Sequence, residues 1–268
     1  MLAMELVQIF LDTKNKYLTK YADETKNLIK DNTYVYIDPI NDLQIMPHPK
    51  MPNQAEMEIR VTNGGTVETG HLFANKSKTA ILNFADALTP GGLIEIGAAT
   101  QEENICRCSN LYASITSETA KRYYQDNNNL SWENMGIYTD DVIYSKDVLF
   151  FKDDVTYGDV KPYHMDVITC PAPSTSLPKE LEETVIYNRI EKIIKVAALN
   201  KVETLILGAW GCGAFGQDAD VVSKAFAKAV KKYPAFDRVI YAIRPTPSLV
   251  ATETDSAYDY FVRNCQEV

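Results

Sequence analysis

The chain is short of positive charge: 27 lysines and arginines stand against 36 aspartates and glutamates over 268 residues, a formal net charge of −9. Broad electrostatic binding of nucleic acid needs surplus cations to release counterions, so direct sequence-specific nucleic-acid binding is not expected. Histidine is scarcer still. His48, His71 and His164 are not spaced for shared ligation with a cysteine pair, and no protein-held metal is expected. The five cysteines, Cys106, Cys108, Cys170, Cys212 and Cys265, are odd in number and lack C-x-x-C spacing, which fits reduced thiols and a cytoplasmic location. No run is long and apolar enough for a transmembrane helix, and Glu5 interrupts the N-terminal apolar stretch where a secretory signal would continue, so no membrane partner is expected. Internal repeats and low-complexity tracts are also missing. An anionic ligand still suits this composition if backbone amides, not side-chain charges, receive it.

What is present is apolar residue, 46% of the chain against 24% charged, enough to bury a full core. From Leu2 to about Lys30 the positions Leu2, Leu6, Ile9, Phe10, Tyr17, Leu18 and Tyr21 recur at helical spacing and predict one or two amphipathic helices. Pro39, Pro47, Pro49 and Pro52 then predict a connecting loop over 38–54. The expected organisation is an N-terminal helical extension and linker over residues 1–55, then one domain over 56–268. Within that domain, apolar runs predict strands at 58–62, 79–84, 165–169, 204–207 and 238–242, with 141–145 and 148–151 paired as a hairpin. Helical periodicity falls at 65–75, 100–116, 181–199 and 218–232. Apolar strands separated by amphipathic helices imply an α/β fold with its sheet covered on both faces.

Seven of the twelve glycines fall in two loops. The first, within Asn83-Phe84-Ala85-Asp86-Ala87-Leu88-Thr89-Pro90-Gly91-Gly92-Leu93, is followed by Gly97 and then by Gln101-Glu102-Glu103 at a helix start. Such a turn lets bare amides approach a sugar or phosphate, and adjacent carboxylates can aim a proton-transfer group at the same point. Thr100-Gln101-Glu102-Glu103 also has the form of a capping box, so spacing alone leaves Glu103 open as a helix cap or a catalytic acid. The second loop, Gly208 to Gln217, follows an apolar strand, feeds a helix and has the build of a diphosphate cradle. Its Gly211, Gly213 and Gly216 match G-x-G-x-x-G, but a dinucleotide site expects that motif at the first strand of a sheet. Trp210 and Phe215 read first as core aromatics, although a place inside a glycine loop raises the ligand role for Phe215.

Together with Val167-Ile168-Thr169-Cys170-Pro171-Ala172-Pro173, these stretches resemble the microbial-type poly(ADP-ribose) glycohydrolases, which are built on a macrodomain. The resemblance runs from about Glu58 to the last strand and implies a three-layer α/β/α macrodomain-like mixed sheet. It implies Glu103 as catalytic acid/base and Glu102 as the holder of ribose hydroxyls. Asn83, Gly91 and Gly92 would line that ribose, Gly211, Cys212, Gly213, Ala214 and Phe215 would hold the diphosphate, and Gln101 would be a further substrate-binding residue. The implied partner is ADP-ribose or an ADP-ribosylated substrate, cut at the ribose glycosidic bond without a cofactor or metal. Leu93, Asp86 and Gln217 depart from the family pattern, which has a third glycine, asparagine and asparagine at those places. The competing expectations are a non-catalytic ADP-ribose-binding module, motivated by Leu93, and a nucleotide-binding oxidoreductase, motivated by the late glycine spacing.

Overall fold

The computed structural model describes residues 1–37, 39–42, 45, 57–133, 138–173, 178–244 and 256–266. Most of the expected loop over 38–54, His48 and the expected boundary between residues 55 and 56 lie outside them.

Seven strands form one mixed sheet. The parallel part consists of β2 (Glu58–Thr62), β3 (Thr79–Phe84), β5 (Asp159–Cys170), β6 (Thr204–Leu207) and β7 (Arg238–Ala242); antiparallel β4 (Val142–Lys152) and β1 (Thr33–Tyr36) extend it, in the order β1-β4-β5-β3-β6-β7-β2. Helices α7 (Lys179–Leu199) and α8 (Ala219–Lys232) cover one face. In α7 the buried Ile186, Ile190, Ile193, Ile194 and Ala197 repeat at helical spacing and pack on Leu82, Ile168 and Leu205 of the sheet. The other face is covered by α1 (Ala3–Thr19), α2 (Ala22–Asp31), α3 (Thr66–His71), α4 (Gln101–Cys108), α5 (Leu111–Ile115) and α6 (Glu118–Glu133), around a second core of Ile81, Ile105, Ile115, Phe150 and Val167. Each fully buried aliphatic side chain contributes roughly 1.5–3 kcal/mol. Short α9 (Ala257–Phe261) then packs Phe261 against Phe226 and Tyr241.

Strands β2, β3, β6 and β7 take the bounds the apolar runs predict. The expected hairpin does not form. Residues 142–152 are one strand with a bulge at Lys146–Asp147, where Asp147 takes φ 55° and its N–H is bound by Asp166 Oδ1 at 2.8 Å. The expected helix over 100–116 is two helices. Ser109 leaves the helix to bridge Phe150, and Asn110 exchanges bonds with Leu149: its N–H donates to Leu149 O at 3.1 Å and its Oδ1 accepts from Leu149 N at 2.9 Å. The N-terminal segment forms two helices, broken near Lys20. Leu6, Phe10, Tyr17 and Tyr21 are buried, while Leu2 and Leu18 are exposed. Among the described residues no helix is long and apolar enough to cross a membrane.

Candidate active site

Parallel strands β3 and β6 are neighbours, so both glycine loops leave the same edge of the sheet. Gly208 is tightly packed at this edge: a Cβ there would stand 2.6 Å from Ala242 O of β7 and 3.0 Å from Phe84 Cζ of β3. Asn83, at the end of β3, is fully buried. Its Nδ2 donates to Glu102 Oε1 and to Thr169 Oγ1 of β5, each at 3.2 Å, while its Oδ1 meets no donor.

The Pro-Gly-Gly turn follows. Gly91 and Gly92 have φ 76° and 60°, left-handed values that favour glycine, whereas Leu93 has φ −100°. A side chain is therefore tolerated where the family pattern has a third glycine, and Leu93 directs its own into solvent, 56% exposed. The backbone does the work: Leu93 N–H donates to Glu103 Oε1 at 3.0 Å. Asp86 also has a local reason to be there, because its Oδ1 accepts from Leu88 N at 2.7 Å and Thr89 N at 2.8 Å and so shapes the descent into the turn. Two side chains of α6 hold this descent from outside. Asn127 Nδ2 donates to Ala87 O at 3.1 Å and Asn128 Nδ2 to Leu88 O at 3.0 Å.

Gln101, Glu102 and Glu103 form the first turn of α4. Gln101 ties three elements together, its Oε1 accepting from Phe84 N at 2.8 Å and its Nε2 donating to Leu82 O at 2.8 Å and Thr66 Oγ1 at 3.2 Å. Glu102 accepts from Asp86 N at 2.7 Å. Glu103 does cap its own helix: Oε2 accepts from Thr100 N at 3.1 Å and from Thr100 Oγ1. It also reaches across to the turn through Leu93, which a cap has no need to do. A Cβ on Gly92 would stand 2.5 Å from Glu103 Oε1 and 3.4 Å from Glu102 Oε2, so both carboxylates converge on the inside of the turn. Both are buried. Burial raises the pKa of Glu102 to about 8, the charges of Asp86 and Glu103 add to the rise, and the bonds from Asp86 N–H and Asn83 oppose it.

The second loop keeps its shape by crowding. Gly211 has φ 78°, and a Cβ on it would stand 2.6 Å from Ala172 Cβ and 2.7 Å from Gln217 Cγ. Gln217 braces the loop, its N–H donating to Gly211 O at 2.9 Å and its Nε2 to Pro173 O at 2.8 Å. Gly213 faces open space, and among the described residues no acceptor takes the N–H groups of Gly213, Ala214 and Phe215. Trp210 is a core residue, fully buried with Nε1 bound to Cys170 O at 2.9 Å; Phe215 is half-buried and lines a groove. Burial raises the Cys212 thiol to about 12, so it lines the groove as a neutral group. The groove has a volume of about 1090 Å³ and runs from Gly211–Phe215 past Phe84, Thr66 and Gln101 to Leu6 and Tyr157. Asp154 and Arg244 pair in its wall at 2.8 Å. Of the residues expected at the site, Gln101, Gly211, Cys212, Gly213, Ala214 and Phe215 line this groove, while Asn83, Gly91, Gly92, Glu102 and Glu103 are not part of its lining. The sequence reading gives no site role to Asn127, Asn128 or the Asp154–Arg244 pair, of which only the asparagine run 127–129 leaves a visible signal, nor to Thr169, although it lies in the stretch 167–173 that carries the resemblance.

Of the described histidines, His71 stacks on Tyr163 with centroids 3.9 Å apart, and His164 is exposed on β5. Among the described residues no three His, Cys, Asp or Glu side chains group as a metal site.

A sheet that brings two buried carboxylates and two glycine turns to the carboxyl ends of its parallel strands defines an α/β protein with a candidate ligand site at that edge. The chain belongs to the microbial-type PARG family, whose catalytic-domain model matches residues 9–153, from within α1 to just past β4. It is similar to the poly(ADP-ribose) glycohydrolase of Thermomonospora curvata, with 25% identity and a TM-score of 0.82 over 97% of this chain and 99% of that one. The same enzyme bound to the inhibitor ADP-HPD matches with a TM-score of 0.81, 25% identity and the same coverage. The Deinococcus radiodurans poly(ADP-ribose) glycohydrolase in complex with ADP-ribose matches with 27% identity and a TM-score of 0.78 over 91% of this chain and 97% of that one. No curated protein matches the chain.

Proposed function

We propose that this protein is a poly(ADP-ribose) glycohydrolase that releases ADP-ribose from poly(ADP-ribose) or a related conjugate, with Glu103 as acid/base. The observation that carries this reading is the convergence of Glu102 and Glu103 on the inside of the Gly91–Gly92 turn, in a chain of the PARG family. The diphosphate would sit on the free amides of Gly213, Ala214 and Phe215, with Gly211 and Cys212 shaping the loop and the Phe215 ring against the ligand. The ribose to be released would lie between Asn83, Gly91 and Gly92, its hydroxyls held by Glu102, with Gln101 fixing the end of β3 beside it.

In the reaction, Glu103 gives a proton to the leaving oxygen as the anomeric carbon gains oxocarbenium character, and the carboxylate then takes a proton from the attacking water. Oxygen Oε1 keeps a lone pair beyond the one that receives Leu93 N–H, so proton transfer does not require that bond to break. Glu102, with a pKa of about 8, carries its proton at neutral pH and can donate to a ribose hydroxyl.

The fold is proposed to be macrodomain-like, with residues 1–55 as an N-terminal segment whose helices pack on the catalytic domain over 56–268 and whose β1 adds to its sheet beside β4. Five free cysteines support a cytoplasmic setting, and the net charge of −9 argues against direct sequence-specific nucleic-acid binding. The test pairs binding with turnover. The protein is titrated with ADP-ribose and with NAD, then incubated with poly(ADP-ribose) while free ADP-ribose is followed. Binding and release support the enzyme; tight binding with no release from polymer, protein-linked or nucleic-acid-linked substrates would make it a reader, and preference for NAD would point to an oxidoreductase.

A further inference from the structure

Arg107 is fully buried; among the described residues no carboxylate forms a salt bridge with it, and its Nη1 meets no acceptor. A buried guanidinium without an ion partner is costly, so its hydrogen bonds show what it is kept for. Nε donates to Leu6 O of α1 at 3.1 Å, and Nη2 donates to Ala98 O, just before α4, at 2.5 Å. Its own carbonyl accepts from Thr13 Oγ1 of α1 at 2.7 Å. Ala98 in turn donates its N–H to Leu93 O at 3.2 Å, and Leu93 N–H is the donor to Glu103 Oε1. Arg107 lies one helical turn beyond Glu103, so these bonds close a ring: Glu103 to Leu93, Leu93 to Ala98, Ala98 to Arg107, and back along α4. Helix α1 clamps the ring from outside. Gly97 has φ 83°, and any Cβ on it would collide with the backbone of Ala3 in the first turn of α1.

We propose that Arg107 is a positioning residue of the active site, through which helix α1 fixes the Leu93–Thr100 segment and hence the orientation of Glu103. This rests on the glycohydrolase reading above. Arginine is required because its planar fork sends two N–H groups to carbonyls on two separate segments, which the single ammonium of lysine cannot span. The diphosphate loop at Gly211–Phe215 is outside the ring, so ligand binding and catalysis should separate.

The experiment compares wild type with Arg107→Lys, which keeps the charge, and with Thr13→Val, which keeps the shape of α1 but loses its bond to Arg107 O. Poly(ADP-ribose) turnover, ADP-ribose affinity, thermal melting and amide hydrogen exchange are measured on each. In Arg107→Lys, kcat is expected to fall ~10- to 100-fold with KM and ADP-ribose Kd within about threefold of wild type. Exchange should rise across 93–100 and not across 211–217, and Thr13→Val should show the same pattern more weakly. Wild-type kcat with unchanged protection at 93–100 would overturn the proposal, as would a loss of ADP-ribose affinity in proportion to the loss of kcat. If Arg107→Lys does not fold, Thr13→Val decides by the same criteria. If wild type itself releases no ADP-ribose, the glycohydrolase reading has failed, and the exchange pattern still decides whether Arg107 holds the segment.

Discussion

Burial of Glu102 makes the stability of this protein depend on pH in a direction opposite to that of an ordinary salt-bridged carboxylate. In the folded chain its carboxyl holds a proton up to about pH 8, while an unfolded glutamate releases it near 4.5. Between those values the native state binds more protons than the unfolded state, so unfolding free energy falls as pH rises. The contribution is fully present below pH 4.5, declines through the interval and levels off above about pH 8. Ionising the buried group costs about 5 kcal/mol in full, of which about 3 kcal/mol is already felt at pH 7. That is a large part of a domain stability of roughly 5–15 kcal/mol. Glu102→Gln removes the titration while keeping the shape: Gln Oε1 can accept Asp86 N–H, and Asn83, whose Oδ1 lacks a donor, can turn to accept the new amide. Urea unfolding of both proteins is followed from pH 4.5 to 8, and the difference cancels the titrating groups that do not interact with Glu102. Wild-type stability relative to the variant should drop by about 3 kcal/mol between pH 4.5 and 7. A flat difference, or one that rises with pH, would refute the burial argument.

Gly92→Ala places a methyl 2.5 Å from Glu103 Oε1 at a left-handed backbone position, and should cost ~1–3 kcal/mol of stability and at least about tenfold in kcat, read by melting and by ADP-ribose release. The two loop glycines should behave differently: Gly211→Ala, which clashes with Ala172 and Gln217, should weaken ADP-ribose binding by about tenfold in calorimetry, while Gly213→Ala, which meets nothing within 4 Å, should leave the melting temperature unchanged. Asp86→Ala removes two bonds to the turn and should lower stability by ~1–2 kcal/mol, a shift of roughly 2–4 °C in thermal melting.

The parts of the fold that are legible in the sequence are those whose side chains face one environment. Strands β3, β6 and β7 can be read from short runs such as Ala80-Ile81-Leu82, buried on both faces of a parallel sheet, whereas β2, at a sheet edge with only Val61 buried, is read from the alternation of Ile59 and Val61 with polar residues. Strand β1 escapes because it has four residues at the sheet edge and only Thr33 buried, and α6 because its surface is rich in asparagine and charge. Lys146–Asp147 looks like a turn and is a bulge. Ser109–Asn110 looks helical and is claimed by β4 instead; in both cases pairing with a distant strand overrides local preference. The site is more legible than the fold around it, since glycine clusters and paired glutamates are local signals. Arg107 is not legible, because its role depends on Leu6 and Thr13, about a hundred positions away in the chain.

The central claim is that Glu103 moves the proton at the glycosidic bond, and the direct measurement is ADP-ribose release from poly(ADP-ribose) by wild type and by Glu103→Gln at equal folded concentration. Release by wild type, reduced ~10²- to 10⁴-fold in the variant while ADP-ribose binding persists, is the predicted result. Wild-type release by Glu103→Gln would contradict it.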